Sequence, residues 1–173
     1  TLQSMGIDVI DVDYSTTPSV EMYVRHCKSS GGIIITASHN PAEWNALKFL
    51  NHEGEFITST VGEEIVLAAG SGVQSISYAT IDKLGKRISA KDAIEKHIDA
   101  ILSHPLVNKE LISEAGIHAV VDCINSTGNI SIPVLLDKLG VTFTLINDGN
   151  YGRFAHNPEP LPEHLQELCD TVV

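Results

Sequence analysis

Residues Gly31 to Lys48 read G-G-I-I-I-T-A-S-H-N-P-A-E-W-N-A-L-K, and they constrain the fold more than any composition value does. Two glycines open the stretch and the β-branched run Ile33-Ile34-Ile35 follows. A short β-branched run bounded by turn residues predicts a buried strand. Thr36-Ala37-Ser38-His39-Asn40-Pro41 comes directly after it. That polar cluster is therefore placed at the carboxyl end of a strand, where open α/β sheets bind their ligands. A hydroxyl, an imidazole and an amide stand side by side there, and Lys48 lies ten residues past Ser38.

The chain has 173 residues, room for one domain or two small ones. Its net charge is −11. Nucleic acid and anionic membranes both need a basic face, so the charge argues against either as a partner. It also sits badly with a phosphate site, unless the basic residues are focused locally or come from elsewhere. Cys27, Cys123 and Cys169 are odd in number and widely spaced, which gives neither a disulfide framework nor a zinc pattern. Free thiols of this kind suit a reducing cytoplasm. No apolar run reaches the roughly 18 residues of a membrane span, and no signal segment opens the sequence. The chain starts at Thr1, and Leu2 already reads as mid-element, which points to an internal fragment.

Leu2 to Met5 reads as a helix tail stopped by Gly6, and Ile7 to Val12 as a strand. Thr16-Thr17-Pro18 opens a helix with a threonine cap and an early proline. Val20, Val24 and Cys27 line one face of it, and Ser29 to Gly32 end it. With the Ile33–Ile35 strand this predicts a β-α-β unit, its strands parallel and its crossover right-handed. Lys48-Phe49-Leu50 reads as a strand, with Phe56-Ile57 returning as its hairpin partner. Thr58 or Ser59 caps a helix to about Ala69. From Ser71 to about Arg87 no period persists, and a boundary is expected near residues 80–90. Ser89 is expected to cap a helix from Ala90 to about Ser103, with Ala93, Ile94, His97, Ile98 and Ile101 on one face. A short helix, Lys109 to Ala115, closes at Gly116. The strand Ile117–Cys123, the turn Asn125–Gly128, a helix to Leu139 and the strand Val141–Ile146 make a second β-α-β unit. Prolines extend Asn157 to Pro160, and Pro162 opens a last helix. The class is α/β, with mixed, mostly parallel sheets.

Ser38 needs a base or a charged setting to act as a nucleophile. His39 is its neighbour, and adjacent side chains on an extended turn tend to point apart, so spacing does not make it the base. G-x-S-x-G is absent, which argues against an esterase elbow. Lys48 could hold a phosphate or exchange a proton if the loop returns it to the mouth of the sheet. On spacing alone, a plain βα-loop serine and a solvated lysine are the commoner outcomes. Asn125-Ser126-Thr127-Gly128 could cradle an anion, but an ordinary capped turn explains it as well. His156 and His164 have no third metal partner at ligand spacing and read as surface groups. Asp11 and Asp13 read as solvated, and Glu159 as fixing a turn between prolines.

T-A-S-H-N-P, then W-N, then a lysine ten residues after the serine, resembles the active-site loop of the α-D-phosphohexomutases. That family includes phosphoglucomutases, phosphomannomutases and phosphoglucosamine mutases. D-V-D-Y-S-T-T-P and Gly31-Gly32-Ile33 resemble its first domain, and G-R-F-A-H-N-P-E-P-L its second. The resemblance implies two partial domains: residues 1–86 as the later part of domain one, and 87–173 as the first part of domain two. It implies that phosphorylated Ser38 passes its phosphoryl group to a hexose 1- or 6-phosphate. A hexose bisphosphate, also the activator, would reorient and return the other phosphate. His39 would lie near the transferring group and Lys48 would serve acid/base or charge-stabilising chemistry, with Thr36, Asn40 and Asn45 supporting the loop. Mg²⁺ would bind an oxygen of phospho-Ser38 plus three aspartates of a D-x-D-x-D loop. Neither nucleic acid nor membrane is implied as partner, and a homodimer is left open for the full-length form.

Two departures stand out. Asn45-Ala46 replaces the family's common Asn-Gly, so the turn must avoid a glycine-only conformation. No D-x-D-x-D loop occurs in the 173 residues; Asp11-Val12-Asp13 lies on the wrong strand. The chain alone is therefore expected to be inactive. The rival expectation is a non-catalytic sugar-phosphate-binding or interaction module of the same fold, with a phosphatase as a third.

Overall fold

The computed structural model describes residues 1–72, 76–149 and 151–172. Among them are six strands and six α-helices in mixed order. β1 (Val9–Asp11) leads to α1 (Thr17–Cys27), β2 (Gly32–Ile35), β3 (Leu47–Leu50) and α2 (Ser59–Gly70). β4 (Arg87–Ser89), α3 (Ala93–Leu102) and α4 (Lys109–Glu114) follow. β5 (His118–Asp122), α5 (Gly128–Leu139), β6 (Thr142–Ile146) and α6 (Gln166–Val172) complete the chain. No helix of the described residues is long and apolar enough to cross a membrane.

The helix starts follow local chemistry. Thr16 caps α1: its hydroxyl oxygen accepts from the Ser19 amide. Thr58 caps α2 through the Val61 amide in the same way. Asn108 caps α4 through the Leu111 amide. Gly6 and Gly140 end their elements in the left-handed conformation, where a side chain would be strained.

Three two-stranded sheets form, β1–β4 and β5–β6 parallel and β2–β3 antiparallel. The β5-α5-β6 unit is as the sequence predicts. The first unit is not. β1 does not pair with β2; its parallel partner is β4, which opposes it from Val9↔Arg87 to Asp11↔Ser89. β2 instead pairs antiparallel with β3, because the loop between them turns the chain straight back. The expected hairpin partner Phe56 makes a single bridge to Leu50, and the Ile57 amide bonds the Phe49 carbonyl. Ser89 lies in β4 and does not cap α3; Asp92 occupies that position without a side-chain cap bond. The boundary expected near residues 80–90 falls on the 3-10 turn Ile81–Lys83 and on β4; of the weakly patterned stretch 71–87, residues 73–75 lie outside the described residues.

Val24 of α1, Ile34 of β2 and Leu50 of β3 form a buried cluster, with Val20 packed against it. The paired glycines are required there. A Cβ on Gly32 would come within 2.8 Å of the Val24 side chain, and one on Gly31 within 2.7 Å of the Leu50 carbonyl oxygen. Glycine thus lets the strand and helix approach closely.

A division at 86/87 would separate β1 from its partner β4. It would also part α1 from α3, which pack together. Buried Ser19 of α1 is 3.0 Å from His97 Nδ1 of α3, and the buried Tyr23 hydroxyl donates to Asp92 Oδ1 at 2.8 Å. Ile98 is 3% exposed and seals the same seam. Tyr23→Phe removes the hydroxyl with little change of shape. Because Asp92 is partly solvated, the expected loss is about 1 kcal/mol, read as a lower urea midpoint at unchanged slope.

Candidate active site

The stretch from Thr36 to Ala46 joins β2 to β3 and projects from their ends. The Thr36 amide bonds the Ala46 carbonyl at 3.0 Å and closes its base. Within the loop, the Asn40 amide bonds the Ala37 carbonyl and the Trp44 amide bonds the Pro41 carbonyl. Asn45 Oδ1 accepts from the Ala46 amide at 3.0 Å. Ala46 is not among the residues with positive φ, so the departure from Asn-Gly is accommodated as expected.

Ser38 has φ +56, a conformation that few non-glycine residues adopt. Its amide donates to Thr36 Oγ1 at 3.1 Å, which satisfies the backbone group that the turn would leave unpaired. The left-handed residue also changes where its neighbour points. Ser38 Oγ lies 3.4 Å from His39 Nδ1. The expectation that the two side chains diverge is therefore corrected: it holds for an extended turn, and Ser38 is not extended. Both residues are exposed. Thr36→Val should free the Ser38 amide and speed its exchange with solvent about fivefold, the equivalent of roughly 1 kcal/mol. Thr36→Ser should leave the exchange unchanged.

Lys48 lies on β3 and faces Phe56. It opposes Ile34 in the β2–β3 register, and its Nζ lies 5.7 Å from the centre of the Phe56 ring. Among the described residues it makes no side-chain hydrogen bond or ion pair. The structure thus brings Thr36, Ser38 and His39 together and places Lys48 on the Phe56 ring.

Residues 1–73 match the family model for phosphoglucomutase/phosphomannomutase, alpha/beta/alpha domain I. Almost the whole chain is similar in sequence to proteins named as phosphohexomutases. It is 33% identical over 175 residues to a phosphoglucomutase/phosphomannomutase of Thermococcus kodakarensis, with 99% of this chain and 37% of that protein aligned. It is 33% identical over 170 residues to the phosphoglucosamine mutase of Alkaliphilus metalliredigens, with 95% of this chain and 37% of that one aligned. The fold agrees with a Thermus thermophilus structure described as a putative phosphomannomutase: TM-score 0.80, 23% identity, 99% of this chain and 38% of that chain. The chain thus spans little more than a third of the length of these relatives.

Two features of the chain differ from what its sequence predicts. Asp13 is exposed, as expected, while Asp11 is half-buried, and each has a cation beside it. Asp11 pairs with Arg87 across the β1–β4 ladder, and Asp13 Oδ2 is 3.5 Å from Lys91 Nζ. The Arg87 side-chain bond, helped by the Asp13 amide, holds the Asp11 carboxyl below its usual value. Both acids are thus engaged by cations. Among the described residues, no group of three or more His, Cys, Asp or Glu could hold a metal.

His156 is the second. It is not a surface histidine: its side chain is 22% exposed, and its Nε2 lies 2.7 Å from Oδ2 of Asp122, which is 7% exposed. Thirty-four residues separate the two, so no spacing rule could have joined them. The one signal was an aspartate at the carboxyl end of a strand. His164 is half-buried and not a free surface group, with Nδ1 bonded to the Glu159 carbonyl. Cys123 is buried and Cys169 exposed, and all three cysteines are free.

Proposed function

We propose that this stretch supplies the phosphoryl-carrying serine of an enzyme that interconverts hexose 1-phosphate and hexose 6-phosphate. The supporting observation is Ser38, set left-handed at the end of β2 with its Oγ 3.4 Å from the His39 ring, in a loop of phosphohexomutase sequence. The relatives' names supply the substrate class.

In the first step, the P–O bond to Ser38 Oγ breaks and phosphorus bonds to the free hydroxyl oxygen of a hexose monophosphate. That hydroxyl gives its proton to solvent water, and Ser38 Oγ gains one. His39 Nδ1 is placed to hand over the latter, so no net proton is consumed once solvent reprotonates the donor. After the bisphosphate turns round, the reverse step moves its other phosphate to Ser38. Such transfer depends on positioning and charge neutralisation more than on covalent chemistry. Exposure of the loop at Ser38 lets a sugar phosphate reach it. Lys48 would neutralise the transferring phosphoryl once it leaves Phe56, and an exposed cation–π contact of about 0.5–1 kcal/mol is cheap to break. Thr36, Asn40 and Asn45 hold the loop in shape.

Mg²⁺ would neutralise charge on the phosphate. This stretch offers it one ligand, an oxygen of phospho-Ser38. Mg²⁺ requires near-octahedral oxygen coordination, so the residues present do not form its site. The remaining ligands and the groups that grip the sugar would come from elsewhere in a longer protein. A reducing cytoplasm suits the free thiols.

The test is a mutase assay with glucose 1-phosphate and a hexose bisphosphate activator. The longer protein should turn over and the 173-residue chain should not. Turnover by the chain alone would overturn this placement of the metal and sugar groups. A longer protein that binds the sugar phosphate without turnover would instead favour the non-catalytic module, and released free phosphate a phosphatase.

A further inference from the structure

We infer that Asp122 and His156 form a pH-sensitive latch that holds the segment after β6 across the carboxyl end of β5. His156 uses both ring nitrogens. Nε2 lies 2.7 Å from Asp122 Oδ2, and Nδ1 lies 2.8 Å from the Asn157 carbonyl oxygen. A carbonyl oxygen only accepts, so Nδ1 donates. An ionised carboxylate also only accepts, so Nε2 donates as well. A carboxyl is far more acidic than an imidazolium, so the pair is carboxylate and imidazolium. Neutral imidazole has one N–H and must release one of the two bonds.

The remaining contacts make the carboxylate end rigid. Asp122 Oδ1 accepts from the Ile124 amide at 2.9 Å and from Asn147 Nδ2 at 3.2 Å. The same Asn147 nitrogen reaches Glu167 Oε2 of α6 at 3.2 Å. Ile124, Asn125 and Asn147 all have positive φ, so both loops leave the strand ends in unusual conformations. Asn125 joins them: its Oδ1 accepts from the Gly149 amide, its Nδ2 donates to the Arg153 carbonyl, and its own carbonyl accepts from the Gly152 amide. His156 closes the far end of this loop.

The charged groups facing the ring are Asp122 from β5 and Glu167 from α6. The Asp122 bond, then the Asn157 carbonyl, raise the His156 pKa above 6.5, against the opposing effect of burial. For Asp122, burial alone would raise the pKa. The bonds from His156, the Ile124 amide and Asn147 together outweigh it and hold the carboxyl below its usual value. The adjacent Cys123 thiol is pushed up by burial, then by Asp148 and Asp122, so it stays neutral. A raised histidine contributes fully below its ordinary pKa and loses that contribution as pH climbs through the raised value. A lowered carboxyl contributes above its ordinary pKa and loses it as pH falls through the lowered value. The latch is closed between the lowered carboxyl value and the raised histidine value, and its upper edge is the histidine's.

Nuclear magnetic resonance of the 173-residue chain tests it directly. The His156 ring should titrate above 6.5, and the amides of Gly152 and Arg153 should move with the same midpoint. Amides of α1 should not share it. His156→Gln should remove that midpoint from the segment. Asp122→Asn should bring the ring back to the ordinary value or below. The latch is refuted if the ring in the unsubstituted chain titrates at or below 6.5, or if the segment ignores its titration. Neither outcome bears on Ser38, so this test and the mutase test fail independently.

Discussion

Ser38→Ala in the longer protein should abolish mutase turnover, by about 10³-fold or more, because no other group can take over a covalent carrier's role. The fold should survive it. Among the described residues, the one hydrogen-bond partner of Ser38 Oγ is His39. The thermal midpoint should therefore move little. Sugar-phosphate binding should persist, since the substitution removes the carrier and not the grip. His39→Ala should be milder, since it removes a proton partner and leaves the carrier. A Ser38→Ala protein with undiminished turnover would eliminate the serine mechanism.

Leu50→Ala should have the largest effect on stability, about 2–5 kcal/mol by analogy with other buried leucines. Leu50 is 4% exposed and packs with Val24 and Ile34. It also faces Gly32 in the β2–β3 register, where the absent side chain of glycine makes room for it. Alanine would leave a void that neither strand can close. The predicted consequence reaches the site: the loop bearing Ser38 hangs from the far end of these two strands. Urea denaturation should show a lower midpoint, and the Ser38 amide should lose protection in step. Loss of stability with an unaffected Ser38 amide would show that the loop holds its shape without the sheet.

Much of this architecture could be read from the residues. Ile33 to Ile35 is a strand because three β-branched residues stand between glycines and a polar turn. Thr16 with Pro18 starts a helix because a hydroxyl can satisfy an orphan amide and proline tolerates the first turn. The strand-turn-helix-strand from His118 to Ile146 carries local signals at each junction. What could not be read depends on distant or unusual geometry. β4 is three residues long, and its partner β1 lies 78 residues earlier, as Val9 opposes Arg87. A Thr-Ala-Ser sequence does not announce a left-handed serine, yet that one dihedral angle decides whether His39 can meet Ser38. Lys48 could be placed on a strand, but not on the Phe56 ring, because that contact depends on the return of the chain after Glu55. The Asp122–His156 pair was invisible for the same reason: it is made by a loop packing against the end of β5 and by no local pattern.

The central claim is that Ser38 carries a phosphoryl group and gives it to a sugar phosphate. Peptide mass spectrometry of the longer protein, isolated from cells without phosphatase treatment, tests this most directly. The expected result is one phosphate, on Ser38, that disappears when excess hexose 1-phosphate is added and reappears on the sugar as a bisphosphate. An unmodified Ser38, or a phosphate on it that sugar phosphate does not remove, would contradict it.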